Sequence, residues 1–109
     1  IEQWIELGQP DESRLRKASG RAAQVIVVGY GRQAADAWWK RNAQALGRLR
    51  NLTVLELDDA DVAQATALLG RGMRVTAMIQ DGELQLMDAH RSVSLQPRLR
   101  MQDGALAPS

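Results

Sequence analysis

Apolar positions along residues 3–69 follow strand-like and helix-like patterns in turn. Residues 3–8 and "LTVLEL" at 52–57 have the pattern of strands, and "QVIVV" at 24–28 is a continuous β-branched run typical of a strand buried on both faces. Between and after these runs, apolar residues recur at the spacing of amphipathic helices. The three helical stripes are Leu15, Ala18 and Ala22, then Ala35, Trp38 and Leu46, and then Val62, Ala65 and Leu69. The pattern therefore predicts the order β-α-β-α-β-α.

The residues at the predicted boundaries agree with this order. "PDE" at 10–12 turns the chain and begins a helix that we expect to run to about Ser19, with acids in its first turn and bases later, as the helix dipole favours. The glycines at 29 and 31 turn the chain into the second helix, and Asp58 or Asp59 caps the third.

The pattern changes in the last third of the chain. "MRVTAMIQ" at 73–80 and "ELQLMD" at 83–88 flank Asp81-Gly82, a dipeptide that accepts the positive φ of a type I′ turn, so a β-hairpin is predicted. "RSVSLQ" at 91–96 predicts a last strand, and the segment from residue 97 to the end has little to pack. Parallel strands from the first part and antiparallel strands from the hairpin predict a mixed sheet of the α/β class.

Composition limits the kinds of protein to consider. At 109 residues the chain forms one domain, and no apolar run reaches the length of a membrane span, so we expect a soluble protein. The net charge of +1 means that attraction to nucleic acid has to come from a local patch. The chain has no cysteine, which excludes disulfides and fits a reducing compartment, so we expect a cytoplasmic protein. Because Ile1 falls directly at the start of a strand, we expect this chain to be part of a longer protein.

One carboxylate stands out because of where the pattern places it. Glu6 lies in an apolar strand, near the carboxyl end, where open α/β sheets usually place their chemistry. A buried carboxylate is costly unless it is paired, hydrogen-bonded or bound to a metal. Lys17 on the following helix could approach Glu6 if that helix folds back over the strand. A lysine with carboxylates around one Mg²⁺ ion is a workable phosphodiesterase site.

Two arginines share the face of Lys17. Arg14, Lys17 and Arg21 have the spacing i, i+3, i+7, so they line one side of the helix, where they could contact the phosphates of a nucleic acid. The plainer interpretation is a solvated face, with Glu6 exposed on an edge strand and paired with Arg14 or Lys17 at little gain in stability.

Five stretches of the chain, in this order, resemble the YaeQ family of bacterial proteins: "WIELGQPDESRLRKA", "AAQVIVVGY", "AADAWWKRN", "NLTVLELDD" and "AMIQDGELQL". The resemblance runs from Ile1 to about Leu99. It implies a variant of the PD-(D/E)XK nuclease fold, in which acids and a lysine assemble a Mg²⁺ site. On this basis we expect residues 1–100 to be the C-terminal portion of a single YaeQ-like domain. Because the end of the chain has little to pack, we expect residues 101–109 to be a mobile tail.

The resemblance also assigns roles to two residues. Glu6 looks like the glutamate of the E-x-K strand, and it would hold the metal. The usual lysine position is Gly8 here, a departure from the superfamily pattern, so Lys17 is the candidate for a lysine that has moved to the helix. The acids that complete the site would lie upstream of Ile1. A scaffold that binds nucleic acid or regulates without turnover is the alternative.

The turn "GYGRQA" supports a third interpretation. Gly29, Gly31 and Ala34 match the G-x-G-x-x-A fingerprint between a buried strand and a helix, and Glu56 or Asp58 could meet a ribose hydroxyl. The acid comes later than usual, and a strand and a helix precede the motif. We therefore favour a tight turn over a dinucleotide site.

The remaining polar and aromatic candidates have structural explanations. Trp38 is predicted to be in the core, whereas its neighbour Trp39 should be partly exposed or cover an interface. His90 has no partner at ligand spacing and is expected in a surface loop.

Overall fold

The computed structural model describes residues 2–69 and 75–107. The first two residues of the predicted strand at 73–80 and the last two residues of the chain lie outside this range. The elements, in chain order, are β1 (Gln3–Leu7), α1 (Glu12–Arg21), β2 (Gln24–Gly29), α2 (Arg32–Leu46), β3 (Leu52–Glu56), α3 (Asp59–Leu69), β4 (Thr76–Gln80), β5 (Glu83–Met87), β6 (Ser92–Leu95), β7 (Arg98–Gln102) and β8 (Ala105–Leu106). The predicted order of three strands and three helices, then a hairpin and a further strand, is confirmed.

The larger sheet has five strands in the order β1-β2-β3-β7-β8. β1, β2 and β3 are parallel, since α1 and α2 supply the long connections that parallel pairing needs. β7 and β8 are antiparallel to their neighbours. The sheet is therefore mixed, as predicted, but β7 and β8 make it so and the hairpin does not.

The hairpin belongs to a second, three-stranded antiparallel sheet of β4, β5 and β6. Its Asp81-Gly82 turn has positive φ at both residues, as a type I′ turn requires. Alternate residues of this sheet are buried, because one face packs onto the rest of the core and the other faces solvent. That amphipathic pattern explains why the hairpin covers the larger sheet instead of extending it.

The core lies on both sides of the larger sheet. Val25 and Val27 point to one side, where they pack with residues of α1 and α2, while Ile26 and Val28 pack with α3 and the second sheet on the other. The prediction that this strand is buried on both faces is confirmed. Among the described residues, no helix is long and apolar enough to cross a membrane.

The predicted helical stripes are largely confirmed, with two differences. Trp39 is only 8% exposed, so the prediction of a partly exposed side chain is wrong. The apolar face of α2 is wide enough to bury both adjacent tryptophans, and the Trp38 indole donates a hydrogen bond to the Pro10 carbonyl. In α3, Leu68 is fully buried, while Val62 and Leu69 pack at the margin of the core.

The C-terminal segment differs most from prediction. The expectation that residues after 97 have little to pack is wrong for residues 98–106, because β7 pairs with β3 and buries Met101 completely. The predicted boundary at residue 100 falls inside β7. The signal was present in the sequence: Asp103-Gly104 is a second Asp-Gly turn, and both residues have positive φ.

Candidate functional site

Glu6 lies near the carboxyl end of β1, opposite Val27 of β2. Its side chain is on the α1 side of the sheet, like that of Trp4, which packs against the core there. Only 15% of the Glu6 side chain is exposed. The sequence pattern thus places a carboxylate in a largely buried position, as predicted.

Among the described residues, Glu6 has Trp4 and Arg14 as partners. Glu6 Oε1 accepts hydrogen bonds from the Trp4 indole Nε1 at 2.8 Å and from Arg14 Nε at 2.5 Å. The Arg14 guanidinium also lies over the Trp4 ring, 5.9 Å from its centroid, at cation–π distance. The charge of Glu6 is therefore balanced by an arginine held between the carboxylate and an aromatic face.

Lys17 is not the base that pairs with Glu6. It is exposed, and within the described residues it makes no ion pair. Leu15 and Ala18 face the sheet, so the intervening positions 16 and 17 project away from it. The pairing of Glu6 with Arg14 is the one that the plainer interpretation named. The catalytic roles of Glu6 and Lys17 stay predictions.

The arginine row on α1 is present as predicted. Arg14 and Arg21 are exposed together with Lys17, and seven residues of helix separate the two arginines by about 10 Å. Arg14 lies beside Glu6, whereas Arg21 lies at the opposite end of the helix. The row therefore extends from the Glu6 carboxylate to the C-terminal end of α1.

A Mg²⁺ ion at Glu6 would find only part of its coordination shell among these residues. Oε2 of Glu6 accepts no hydrogen bond from the described part of the chain, so one carboxylate oxygen is open to a hard cation. No group of three His, Cys, Asp or Glu side chains in residues 2–69 and 75–107 has the geometry of a metal site. Among the described residues, Glu6 therefore supplies a single ligand for a Mg²⁺ ion.

The glycine turn after β2 has left-handed backbone. Gly31 is the residue before α2, with φ of 82°, and Arg32 also has positive φ. Glu56, one of the acids predicted to meet a ribose, lies at the end of β3 and is already held by Arg100. Asp58 is exposed.

Sequence reasoning missed the charged cluster around Arg100, which joins β7, β3 and α2. Arg100 Nε donates to Glu56 Oε1 at 2.9 Å, and Nη2 donates to Asp36 Oδ1 at 2.7 Å. Lys40 pairs with the other oxygen of Asp36 at 3.0 Å. The hydrogen bond from Lys40 and that from Arg100 lower the pKa of Asp36 against the opposing effect of desolvation. Recognising "RLRMQ" as a strand before an Asp-Gly turn would have placed Arg100 in the sheet.

Comparison with known proteins identifies the family. The model of the YaeQ protein family matches residues 1–97. The chain belongs to the YaeQ family. It is 40% identical to the YaeQ protein of Salmonella typhi over 96 residues, which are 88% of this chain and 53% of that protein. It is 43% identical to the Escherichia coli K12 protein over 88 residues, which are 81% and 49% of the two chains. The chain thus spans about half the length of these YaeQ relatives.

Solved YaeQ structures share the fold. The crystal structure of YaeQ from Xanthomonas axonopodis pv. citri has a TM-score of 0.64 and 51% sequence identity, over 93% of this chain and 57% of that one. The YaeQ structure from Pseudomonas syringae has a TM-score of 0.61 over 96% and 57% of the two chains. At 22% identity the second likeness concerns the fold alone.

Proposed function

We propose that the complete protein has a Mg²⁺-dependent phosphodiesterase site for nucleic acid, of the PD-(D/E)XK type, and that this chain contributes Glu6 to it. The observation that supports this proposal is the position of Glu6: a largely buried carboxylate near the carboxyl end of a parallel strand, with one oxygen that accepts no hydrogen bond from residues 2–69 and 75–107. Open α/β sheets usually place their chemistry at this edge.

Each residue has a distinct part in this proposal. Glu6 Oε2 would be the metal ligand, while Arg14 and Trp4 hold Oε1 and so set the orientation of the carboxylate. Bound Mg²⁺ would activate water and neutralise phosphate charge. Lys17 would orient the attacking water or stabilise the negative charge that develops on the phosphate, and it would act from the exposed face of α1. The other metal ligands would come from the remainder of the protein.

A second function is favoured by the Arg14 contact. An arginine already neutralises Glu6, and a carboxylate balanced in this way does not need a metal. On that observation the protein is a scaffold that binds nucleic acid through its basic residues without cleaving it.

Dinucleotide binding at the glycine turn has less support, because Arg100 already engages Glu56. A nucleotide titration followed by tryptophan fluorescence would test it.

A calorimetric titration with Mn²⁺ separates the first two functions. We expect site-specific Mn²⁺ binding in the protein at its natural length and loss of that binding in Glu6→Gln, because a neutral amide binds a hard cation more weakly than a charged carboxylate does. Glu12→Gln is the matched control, since Glu12 pairs with Arg16 on the same helix and should leave Mn²⁺ binding unchanged. If Glu6→Gln binds Mn²⁺ as the parent does, or if neither protein binds Mn²⁺, the assignment of Glu6 as a metal ligand is wrong. The scaffold function is then favoured.

A nuclease screen of Lys17→Ala then tests the proposed role of Lys17 in cleavage. The variant should fold normally, because the Lys17 side chain is exposed, and it should bind Mn²⁺ while losing cleavage. Cleavage at the parental rate, or unfolding, would remove Lys17 from the proposed site.

A further inference from the structure

The charges of this chain are unevenly distributed in a way that its net charge of +1 conceals. Residues 10–50, which include α1 and α2, have nine lysines and arginines against three acids. Residues 51–90, which include α3 and the hairpin, have seven acids against two lysines and arginines. α1 and α2 pack on the same side of the larger sheet, so the helical layer is strongly basic. A charge separation of this kind concentrates positive potential on one face.

The basic residues of α1 point out of the helical layer. Arg14, Lys17 and Arg21 are all exposed, and only Arg14 has an acidic partner among the described residues. Arg16, on another side of the helix, is neutralised by Glu12 at 2.9 Å. The row from Arg14 to Arg21 therefore keeps most of its charge available to an outside partner.

The chain before β3 extends this row at the end where Arg21 lies. Asn51 donates hydrogen bonds to the carbonyls of Ser19 and Ala22 at 2.9 and 3.0 Å, so this segment is held against the end of α1. Arg48 and Arg50 lie just before Asn51, are exposed, and make no ion pair within the described part of the chain. We call Arg14, Lys17, Arg21, Arg48 and Arg50 the basic strip.

We propose that the basic strip binds the phosphodiester backbone of nucleic acid without reading its sequence. The strip combines three exposed cations along about 10 Å of α1 with two on the segment held at the end of that helix, and four of the five make no ion pair among the described residues. Several cations in succession suit a linear polyanion better than a single small anion. This proposal rests on the proposed function for its class of partner. It adds that the backbone lies along α1 and passes Glu6 at one end, beside Arg14.

Binding of duplex DNA by the natural-length protein, measured by fluorescence anisotropy over a range of KCl concentrations, tests the strip. In Arg21→Gln/Arg50→Gln we expect affinity at low salt to fall about tenfold or more, and the slope of log affinity against log salt to fall by about two, because two phosphate contacts are lost. Arg91→Gln/Arg98→Gln is the matched control: it removes two exposed arginines outside the strip and should bind about as the parent does.

Three results would overturn the proposal: no binding of duplex DNA at low salt, equal losses in the strip and control variants, or binding of phosphatidylserine vesicles without binding of DNA. If the double variant does not fold, Lys17→Gln provides the same test with one charge. Glu6→Gln separates this proposal from the metal site, since it should keep DNA binding even where it loses Mn²⁺. If the parent protein binds duplex DNA but no Mn²⁺, that result therefore counts only against the phosphodiesterase.

Discussion

Gly82 and Gly104 follow aspartate in two Asp-Gly turns and have nearly the same left-handed backbone, with φ of 79° and 81°. Their surroundings differ. A Cβ at Gly82 would meet nothing within 4 Å, whereas a Cβ at Gly104 would lie 2.8 Å from Arg50 Cα, too close for a real contact. The same residue type is therefore required by backbone conformation at one turn, and by both conformation and close packing at the other.

We expect Gly104→Ala to destabilise the protein more than Gly82→Ala. Both changes place Cβ in a left-handed conformation at a cost of about 1–2 kcal/mol, and only Gly104→Ala also has to displace the backbone of Arg50. Urea unfolding of the two variants beside the parent measures the difference directly. Equal losses of unfolding free energy would mean that the turn between β7 and β8 moves away from Arg50 without cost.

At the scale of elements, one side chain joins the two sheets. Gln3, on the edge strand β1, donates from Nε2 to the carbonyl of Ala77 at 2.8 Å and accepts at Oε1 from the Ala77 amide at 2.9 Å. Its carboxamide thus pairs with β4 as a neighbouring strand would. Nε2 also donates to the Gln24 side chain of β2. The second sheet is attached here by hydrogen bonds as well as by its apolar face.

Removal of this carboxamide should weaken the attachment of the second sheet. Gln3→Ala leaves the backbone amide and carbonyl of Ala77, a residue only 6% exposed, without these partners, at a cost of about 1–3 kcal/mol. Hydrogen exchange should show faster exchange at Ala77, and urea unfolding should show a lower midpoint. Gln85→Ala is the control, because within the described part of the chain the Gln85 side chain makes only one hydrogen bond, a long one of 3.4 Å to Glu83. A parental midpoint for Gln3→Ala would mean that water replaces the amide.

At the scale of the molecule, the Arg100 cluster ties the helical layer to the C-terminal strands. Arg100 and Glu56 are each 13% exposed, and Asp36 joins them from α2. The pKa of Asp36 is lowered by its hydrogen bonds to Lys40 and Arg100. Because its ionised form is favoured by folding, Asp36 contributes stability above its unfolded pKa of about 3.9, and that contribution is lost as pH falls through the lower folded pKa.

In Asp36→Asn, the free energy of unfolding should therefore decrease less than in the parent as pH falls. Its unfolding midpoint in urea should lie below that of the parent at pH 7, because an amide pairs less strongly with Arg100 and Lys40, and the two midpoints should converge as pH falls below about 4. Measurements at several pH values between 7 and 2 test this. A constant difference over the whole range would show that Asp36 acts through its shape and not through its charge.

Much of the fold was predictable because local pattern determines local structure. The β-branched run of β2, the apolar stripes of α1 and α2, and the Asp81-Gly82 turn each predicted the element observed. The C-terminal strands were missed, although Asp103-Gly104 had the same turn signal, because alternating arginines in "RLRMQ" look exposed. In the structure, Arg100 finds carboxylates on β3 and α2.

Local pattern in the sequence was enough to predict the elements from β1 to β6, their order, the buried strand β2 and the carboxylate in β1. The partner of each strand and of each charged side chain depends on how the elements pack in three dimensions. Arg14 and Lys17 lie on one side of α1, and burial of Leu15 and Ala18 sets the rotation that brings Arg14 to Glu6 and leaves Lys17 in solvent. Likewise, the edge of β3 is filled by β7 and not by the hairpin. Hydrophobic periodicity depends on neighbours along the chain. The partners of a strand or of a charged side chain depend on how elements distant in sequence pack together.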